Sequence, residues 1–240
     1  MIYKELSQEA YDDIASRILH EDNHLLIINK RVGEIVQGDK TGDEPLSETL
    51  KAFIAQRDDK PGHVFMGVPH RLDRPVSGVC VFAKTSKALE RLNEAFRSGA
   101  VHKTYWALCC ARPQPEENLL EHWMVRNEKQ NKSYTVDPAG PGKPLPKEAK
   151  RAALRYRLLK CTDRYFLVEV ELLTGRHHQI RCQLSAIGCP IKGDLKYGSP
   201  RSNKDGGISL HARSITLTHP TTKETINVEA PVDWSPIISD

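Results

Sequence analysis

The sequence predicts an α+β fold, and three observations carry that prediction. Residues 86–98 place Leu89, Leu92 and Phe96 on one helical face, with Thr85 or Ser86 available as a cap and Gly99 at the stop. Residues 165–172 alternate instead, Phe166, Val168, Val170 and Leu172 being separated by residues that include Glu169 and Glu171, the period of a half-buried antiparallel strand. No internal repeat and no clean linker divides the 240 residues. Strands far apart in sequence are therefore expected to share a sheet.

Taken in order, residues 11–17 predict a short helix and 24–29 an apolar strand, which runs into a turn at Lys30, Arg31, Val32 and Gly33. Another short strand is expected around Ile35 and Val36. Leu46, Leu50, Phe53 and Ile54 give 46–57 helical spacing, and Val79 to Ala83 reads as a strand. Beyond the helix at 86–98, strands are expected at 103–110 and 152–161. The polar stretch 127–148, rich in Pro and Gly, reads as a loop or mobile hairpin. A helix at 177–187 closed by Gly188, then strands at 209–218 and 225–229, complete the pattern. Residues 1–17 are expected to form an N-terminal extension with a short helix, and 18–240 the main domain.

With 39% hydrophobic and 28% charged residues the chain is expected to fold rather than remain disordered. The first sixteen residues lack a basic start and an apolar run, and no later stretch is long enough to span a bilayer, so a cytoplasmic location is expected. The six cysteines show no Cys-x-x-Cys spacing and are expected to be reduced, mostly in the core. In a strand, Cys109 and Cys110 would face opposite ways. His177 and His178 near Cys182 hint at a zinc site, but adjacent histidines on a helix diverge and no acidic or thiolate ligand completes a set. No metal is expected.

The net charge is only +4, yet it is unevenly spread. The first sixty residues are acid-rich. From Arg126 to Arg181 the chain carries Lys129, Lys132, Lys143, Lys147, Lys150, Arg151, Arg155, Arg157, Lys160, Arg164 and Arg176 against few acids. Such a face can neutralise phosphates or be an ordinary solvated surface, and charge alone leaves both readings open.

The most informative stretch is His70-Arg71-Leu72-Asp73-Arg74-Pro75-Val76-Ser77-Gly78. Pro75 biases Arg74 away from helix and Ser77-Gly78 permits a tight reversal, so a loop presents Asp73 at a sheet edge. Arg71 and Arg74 flank it and are expected to favour its ionised form. In His102-Lys103-Thr104-Tyr105 the strand period puts Lys103 and Tyr105 on one side. In Thr174-Gly175-Arg176-His177-His178-Gln179-Ile180-Arg181 a strand leads into a helix, and the helix start with Arg176 suits a phosphate.

These motifs resemble, in order, those of the RluA family of RNA pseudouridine synthases. The family reads His-Arg-Leu-Asp, two variable residues, then Thr-Ser-Gly; a Lys-x-Tyr; and Thr-Gly-Arg-x-His-Gln followed by Leu or Ile and Arg. The resemblance extends to Gly188-Cys189-Pro190-Ile191-Lys192-Gly193-Asp194, to Leu210-His211-Ala212, and to the region from Leu25 to Gly33. Two departures stand out: Val76 replaces the usual Thr, and Arg31 the usual Pro.

The resemblance implies the pseudouridine synthase fold, a mixed, mainly antiparallel sheet flanked by helices and loops with the catalytic cleft across the sheet. It implies an isomerase that converts uridine in ribosomal or transfer RNA to pseudouridine, without a cofactor. Asp73 would be the catalytic carboxylate, Arg181 its basic partner, and Tyr105 the residue stacking on the base. Leu210 would pack against that base. Arg71 would enter the space the flipped uridine leaves, and His70, Lys103, Arg176 and Gln179 belong to the RNA-binding set. With only a short segment ahead of Leu25, no S4 RNA-binding domain is expected, target choice should rest on the catalytic domain, and a monomer is expected. The alternative is a catalytically impaired RNA-binding module on the same fold.

Overall fold

A computed structural model describes residues 3–137, 144–232, 234 and 237. The chain divides into two compact units, Met1–Val101 with Ala212–Pro231, and His102–His211 with Val232–Asp240.

The first unit holds α1 (Gln8–Arg17), β1 (Ile18–Glu21), β2 (Leu25–Lys30), α2 (Leu46–Arg57), β3 (Ser77–Ala83) and α3 (Ser86–Ser98). Most of β9 (Leu210–Thr218) and all of β10 (Thr225–Glu229) return to it. Its strands run β1-β2-β3-β9, with β10 beside β9. Leu25 and Ile27 of β2, Val79 and Val81 of β3, and Ile215 and Leu217 of β9 pack with Ala88 and Leu92 of α3 in one apolar cluster. The hydrophobic effect thus selects one face of α3, as its spacing predicted. Thr85 Oγ1 accepts the N–H of Ala88, and Gly99 closes the helix at φ +78°. Helix α1 starts earlier than its apolar pattern indicates, because Ser7 caps it by accepting the N–H of Ala10. Its Tyr11 ring lies 4.8 Å from Phe53 of α2.

The second unit holds β4 (His102–Cys109), β5 (Glu117–Asn127), β6 (Lys132–Val136), β7 (Lys150–Cys161), β8 (Phe166–Leu172), α4 (Gln179–Ala186) and a short 3-10 helix, Leu195–Tyr197. The strand order is β4-β8-β7-β5-β6. Each neighbouring pair in that order is antiparallel, as are β1-β2, β2-β3 and β9-β10. Cys182 of α4 packs with Met124 of β5, Ala152 of β7 and Tyr197.

Several sequence expectations need correction. No strand forms at Ile35 and Val36; their carbonyls accept the N–H groups of Leu46 and Ser47 at the start of α2. Of the two readings of 127–148, loop or hairpin, a hairpin forms at its start, residues 132–136 pairing with β5, while Pro138 to Gly142 lie outside the described residues. Strand β5 itself escapes the sequence pattern because Leu119 and Trp123, 44% and 41% exposed, put apolar residues on its outer face as well. Helix α4 begins at Gln179 rather than at 177, since His178 sits at φ +53°, which no helical residue adopts.

Candidate active site

In the first unit the stretch from His70 to Gly78 is a loop fastened at both ends. His70 Nε2 accepts the N–H of Val81, and its ring stacks on Phe96 of α3 at 4.5 Å. At the other end Gly78 stands at φ +114°, so close to Ala212 that an added Cβ would lie 2.3 Å from the Ala212 carbonyl oxygen. Between them the N–H of Val76 reaches the carbonyl of Asp73 at 3.0 Å, closing a turn around Pro75. Leu72 and Val76 are buried, Asp73 is half-buried, and Arg71 is exposed.

What grips the loop is Lys30, the last residue of β2, which has no exposed surface. Its ammonium donates to the carbonyls of Val76 at 2.6 Å, Arg31 at 2.8 Å and Arg74 at 3.3 Å. The N–H of Gly33 adds a second bond to Arg74, at 2.9 Å. Burial pulls the Lys30 pKa from 10.5 down to about 8, against the carboxylates of Glu34 and Asp73, which hold it up. The ammonium therefore shares its field with Asp73. Sequence reasoning took Lys30 for a turn residue. The available signal was register: an apolar run from Leu25 to Ile28 buried on both faces carries the strand's next side chains inward as well.

Arg74 is placed differently from expectation. Its guanidinium turns to the 39–43 loop, meeting Asp43 at 2.6 Å, Thr41 at 2.8 Å and Asp39 at 3.9 Å.

In the second unit Lys103 and Tyr105 lie on β4, Tyr105 buried opposite Val170. Lys103 is partly buried, which lowers its pKa, and its Nζ comes within 3.7 Å of the Cβ position of Gly175. The strand pair thus brings the Lys-x-Tyr and Thr-Gly-Arg motifs together. The 173–178 loop is built around Gln179, which is 3% exposed. Its Oε1 accepts the Thr174 hydroxyl and the N–H of Arg176, and its Nε2 donates to Ala153. Arg176 thus precedes the helix rather than opening it; its side chain is exposed, with Nε on the carbonyl of Arg151. Leu210, at the start of β9, is buried.

Arg181 is 5% exposed and is bound in a bidentate pair by Asp194, Nε to Oδ2 at 2.6 Å and Nη2 to Oδ1 at 2.9 Å. Asp194, itself 1% exposed, is a residue the sequence reading named only as part of a resembling segment. Tyr197 lies under the guanidinium, 5.1 Å from ring centre to Cζ. The Tyr197 hydroxyl accepts the N–H of Ser133, donates to its carbonyl and meets His178 Nδ1 at 3.0 Å. Burial, with Arg181 and His177 beside it, drives the His178 pKa down to about 2, so this imidazole is neutral in the working range. His177 and His178 do not diverge on a helix; their rings stack at 3.8 Å. Among the described residues no group of three or more His, Cys, Asp or Glu side chains is placed to hold a metal ion.

Residues 24–186 match the family model described as RNA pseudouridylate synthase. The chain belongs to the RNA pseudouridylate synthase family. Over 240 aligned positions it is 30% identical to pseudouridylate synthase RPUSD4, mitochondrial, of Xenopus tropicalis, with 87% of this chain and 74% of that protein covered. To ribosomal large subunit pseudouridine synthase C of Escherichia coli it is 33% identical, covering 92% of this chain and 67% of the other. The solved structure of human RNA pseudouridylate synthase domain containing 4 matches with a TM-score of 0.78 at 26% identity, over 93% of this chain and 91% of that one. The α+β fold with its mainly antiparallel strands is that of these relatives.

This pseudouridine synthase is an isomerase acting on RNA. Its basic region is less uniform than the sequence indicates. On β7 and β8, Arg155 faces Glu171 at 3.4 Å and Arg157 faces Glu169 at 2.7 Å, while Arg151 pairs with Glu121 of β5. Lys129, Lys147, Lys150, Arg164 and Arg176 are exposed, and Lys143 lies outside the described residues. Four cysteines are buried, Cys110 is half-buried and Cys161 exposed, all of them free thiols. No helix among the described residues is long and apolar enough to cross a membrane.

Proposed function

We propose that this pseudouridine synthase isomerises specific uridines in structured RNA, with ribosomal RNA as the first target class and transfer RNA as the second. The observation that carries the reading is Asp73 held half-buried on a loop whose carbonyls are gathered by a buried lysine. A side chain fixed in this way loses little orientation on binding substrate. The Escherichia coli relative is by name a ribosomal large subunit enzyme, which supports the choice of ribosomal RNA. Cytoplasmic residence belongs to the same proposal.

The reaction breaks the bond from ribose C1' to uracil N1, turns the base and joins C1' to C5, after which C5 loses its hydrogen as a proton and the freed N1 takes one up. Nothing is oxidised or reduced. The ionised Asp73 acts on the base or the sugar carbon as nucleophile. Arg181 and Tyr105 are assigned to the same site by the motifs they occupy, Arg181 as its basic partner and Tyr105 as the stacking ring and proton acceptor. Leu210 packs on the base. The uridine must leave its stack, at about a few kcal/mol, and Arg71, exposed on the loop, fills the space. Lys103 and Arg176 meet phosphates, while His70 and Gln179 serve RNA by fixing the two loops.

The test uses total RNA, labelled with tritium at uridine C5, from cells lacking the gene. The wild-type protein should release tritium, and Asp73→Asn should release less than about one thousandth as fast while binding RNA within about threefold. Turnover in Asp73→Asn, or a wild-type protein that binds RNA and releases no tritium, would overturn the reading.

A further inference from the structure

The loop that carries Asp73 is gripped by the turn after β2, and that turn is itself held from outside by the N-terminal helix. We propose that α1 is a positioning element for Asp73, acting through Arg17 and Glu34 on the turn that grips the loop. This rests on the reading of Asp73 as the catalytic carboxylate.

Arg17, in the last turn of α1, is 8% exposed. Its two terminal nitrogens take both oxygens of Glu34, at 3.0 and 2.9 Å, and one of them also reaches the carbonyl of Asn29 at 3.2 Å. Glu34 in turn accepts the N–H of Arg31 at 2.8 Å. Asp13, one helical turn before Arg17, completes the set, meeting Arg17 at 2.9 Å and Arg31 at 2.5 Å. Residues 29 to 34 are thereby tied at three points to a helix. The same residues send Lys30 Nζ and the Gly33 N–H to the carbonyls of Arg74 and Val76. Every bond in this relay lies within the first unit.

Arg31 makes the relay possible. A proline at 31 would offer Glu34 no N–H and no charge for Asp13. Arg17 binds the carboxylate of Glu34 from the helix, while Arg31 adds an N–H bond to it within the turn and a second tie to the helix at Asp13. A bidentate guanidinium pair adds direction as well as energy, so a neutral substitute of equal size can hold the fold and still lose the register.

The charge relations supply a readout that a purely structural role would leave unmoved. Lys30 is faced by Asp73 from the loop, Glu34 from the turn, Cys80 from β3 and Arg17 from α1. Glu34 and Asp73 help it keep its proton, and Arg17 opposes them. Removing the Glu34 charge therefore makes Lys30 release its proton at lower pH.

The experiment measures single-turnover tritium release from C5-labelled RNA of the gene-deleted strain, RNA affinity and melting temperature, for Arg17→Gln, Arg17→Lys, Glu34→Gln and Arg57→Gln. Arg57 makes a comparable bidentate pair with Glu21, away from the turn, at 2.7 and 2.9 Å. Arg17→Gln and Glu34→Gln should slow the step about tenfold, with RNA affinity within about twofold, since a small misplacement of a reacting group acts on rate. Arg17→Lys should regain part of the loss. Glu34→Gln should also move the alkaline limb of the rate profile to lower pH. Arg57→Gln should lose melting temperature at unchanged rate. Wild-type rates and an unmoved alkaline limb in folded Arg17→Gln and Glu34→Gln overturn the proposal. So does an Arg57→Gln variant that loses as much rate as they do. Asp73→Asn, run alongside, separates the levels. If it is inert while the Arg17 and Glu34 variants are unaffected, only the relay fails; if it remains active, the assignment of Asp73 fails and the relay with it.

Discussion

Val76 and Asp194 show what single side chains contribute here. Val76 is 3% exposed, its N–H closes the turn on Asp73 and its carbonyl takes the shortest of the Lys30 bonds. The backbone at this position does the work that a threonine backbone would do. Val76→Thr should leave the rate within about threefold and lower stability by about 1–2 kcal/mol, the cost of burying a hydroxyl, read as a fall in melting temperature. A large gain in rate would show that the missing hydroxyl matters to the chemistry. Asp194 holds Arg181 where neither side chain meets water. Asp194→Asn should cost about 3–5 kcal/mol in denaturant unfolding, because it leaves a buried guanidinium short of its counter-charge. Asp73, Tyr105 and Arg181 stand out in the sequence as candidates because their motifs are contiguous and polar, and their roles are part of the proposal. Lys30 and Asp194 could not be given roles. Each acts by burial, and burial of a charged side chain is decided by strands that lie far away in sequence.

Elements were legible in proportion to how completely their own residues specify them. Helix α3 carries its cap, its apolar face and its stop within fifteen positions, so both ends were predicted. Helix α4 begins later than the sequence indicates, because the backbone at His178 is left-handed. The His178 ring stacks on its neighbour His177 and bonds to Tyr197, a partner nineteen residues on that a local window does not contain. Among the described glycines, Gly78 near the start of β3 meets the closest contact. Gly78→Ala would set a methyl group 2.3 Å from the carbonyl oxygen and 2.5 Å from the nitrogen of Ala212, at a φ that L-residues rarely adopt. Backbone atoms cannot give way like a flexible side chain. The variant should be recovered as insoluble or strongly destabilised protein, with unfolding shifted by about 3 kcal/mol or more.

At the scale of the whole molecule the chain passes between its two units at Val101, at His211 and at Pro231. The sequence offered no sign of this division, because no linker marks it and β9 runs through the second crossing without a break. Charge was legible as a total and misleading as a distribution: three arginines of β7 are matched by glutamates across the sheet. RNA affinity should fall at least about tenfold between about 50 and 200 mM salt, through counterion release. In the logarithmic plot Arg176→Gln should reduce the slope by about one, while Arg155→Gln should leave it nearly unchanged, since Glu171 already neutralises that arginine. Filter binding across a salt series decides it. Lys30 has a consequence at this scale too. Between pH of about 8 and 10.5 the unfolded chain keeps a proton on this lysine that the folded chain has lost, so the contribution of Lys30 to stability rises with pH across that window. The same loss removes the charge from the lysine that gathers the Asp73 loop. In mild alkali Lys30 therefore works against the buried thiols of Cys80, Cys109, Cys182 and Cys189, whose ionisation favours the unfolded chain, and turnover should fall at pH values where the fold still holds.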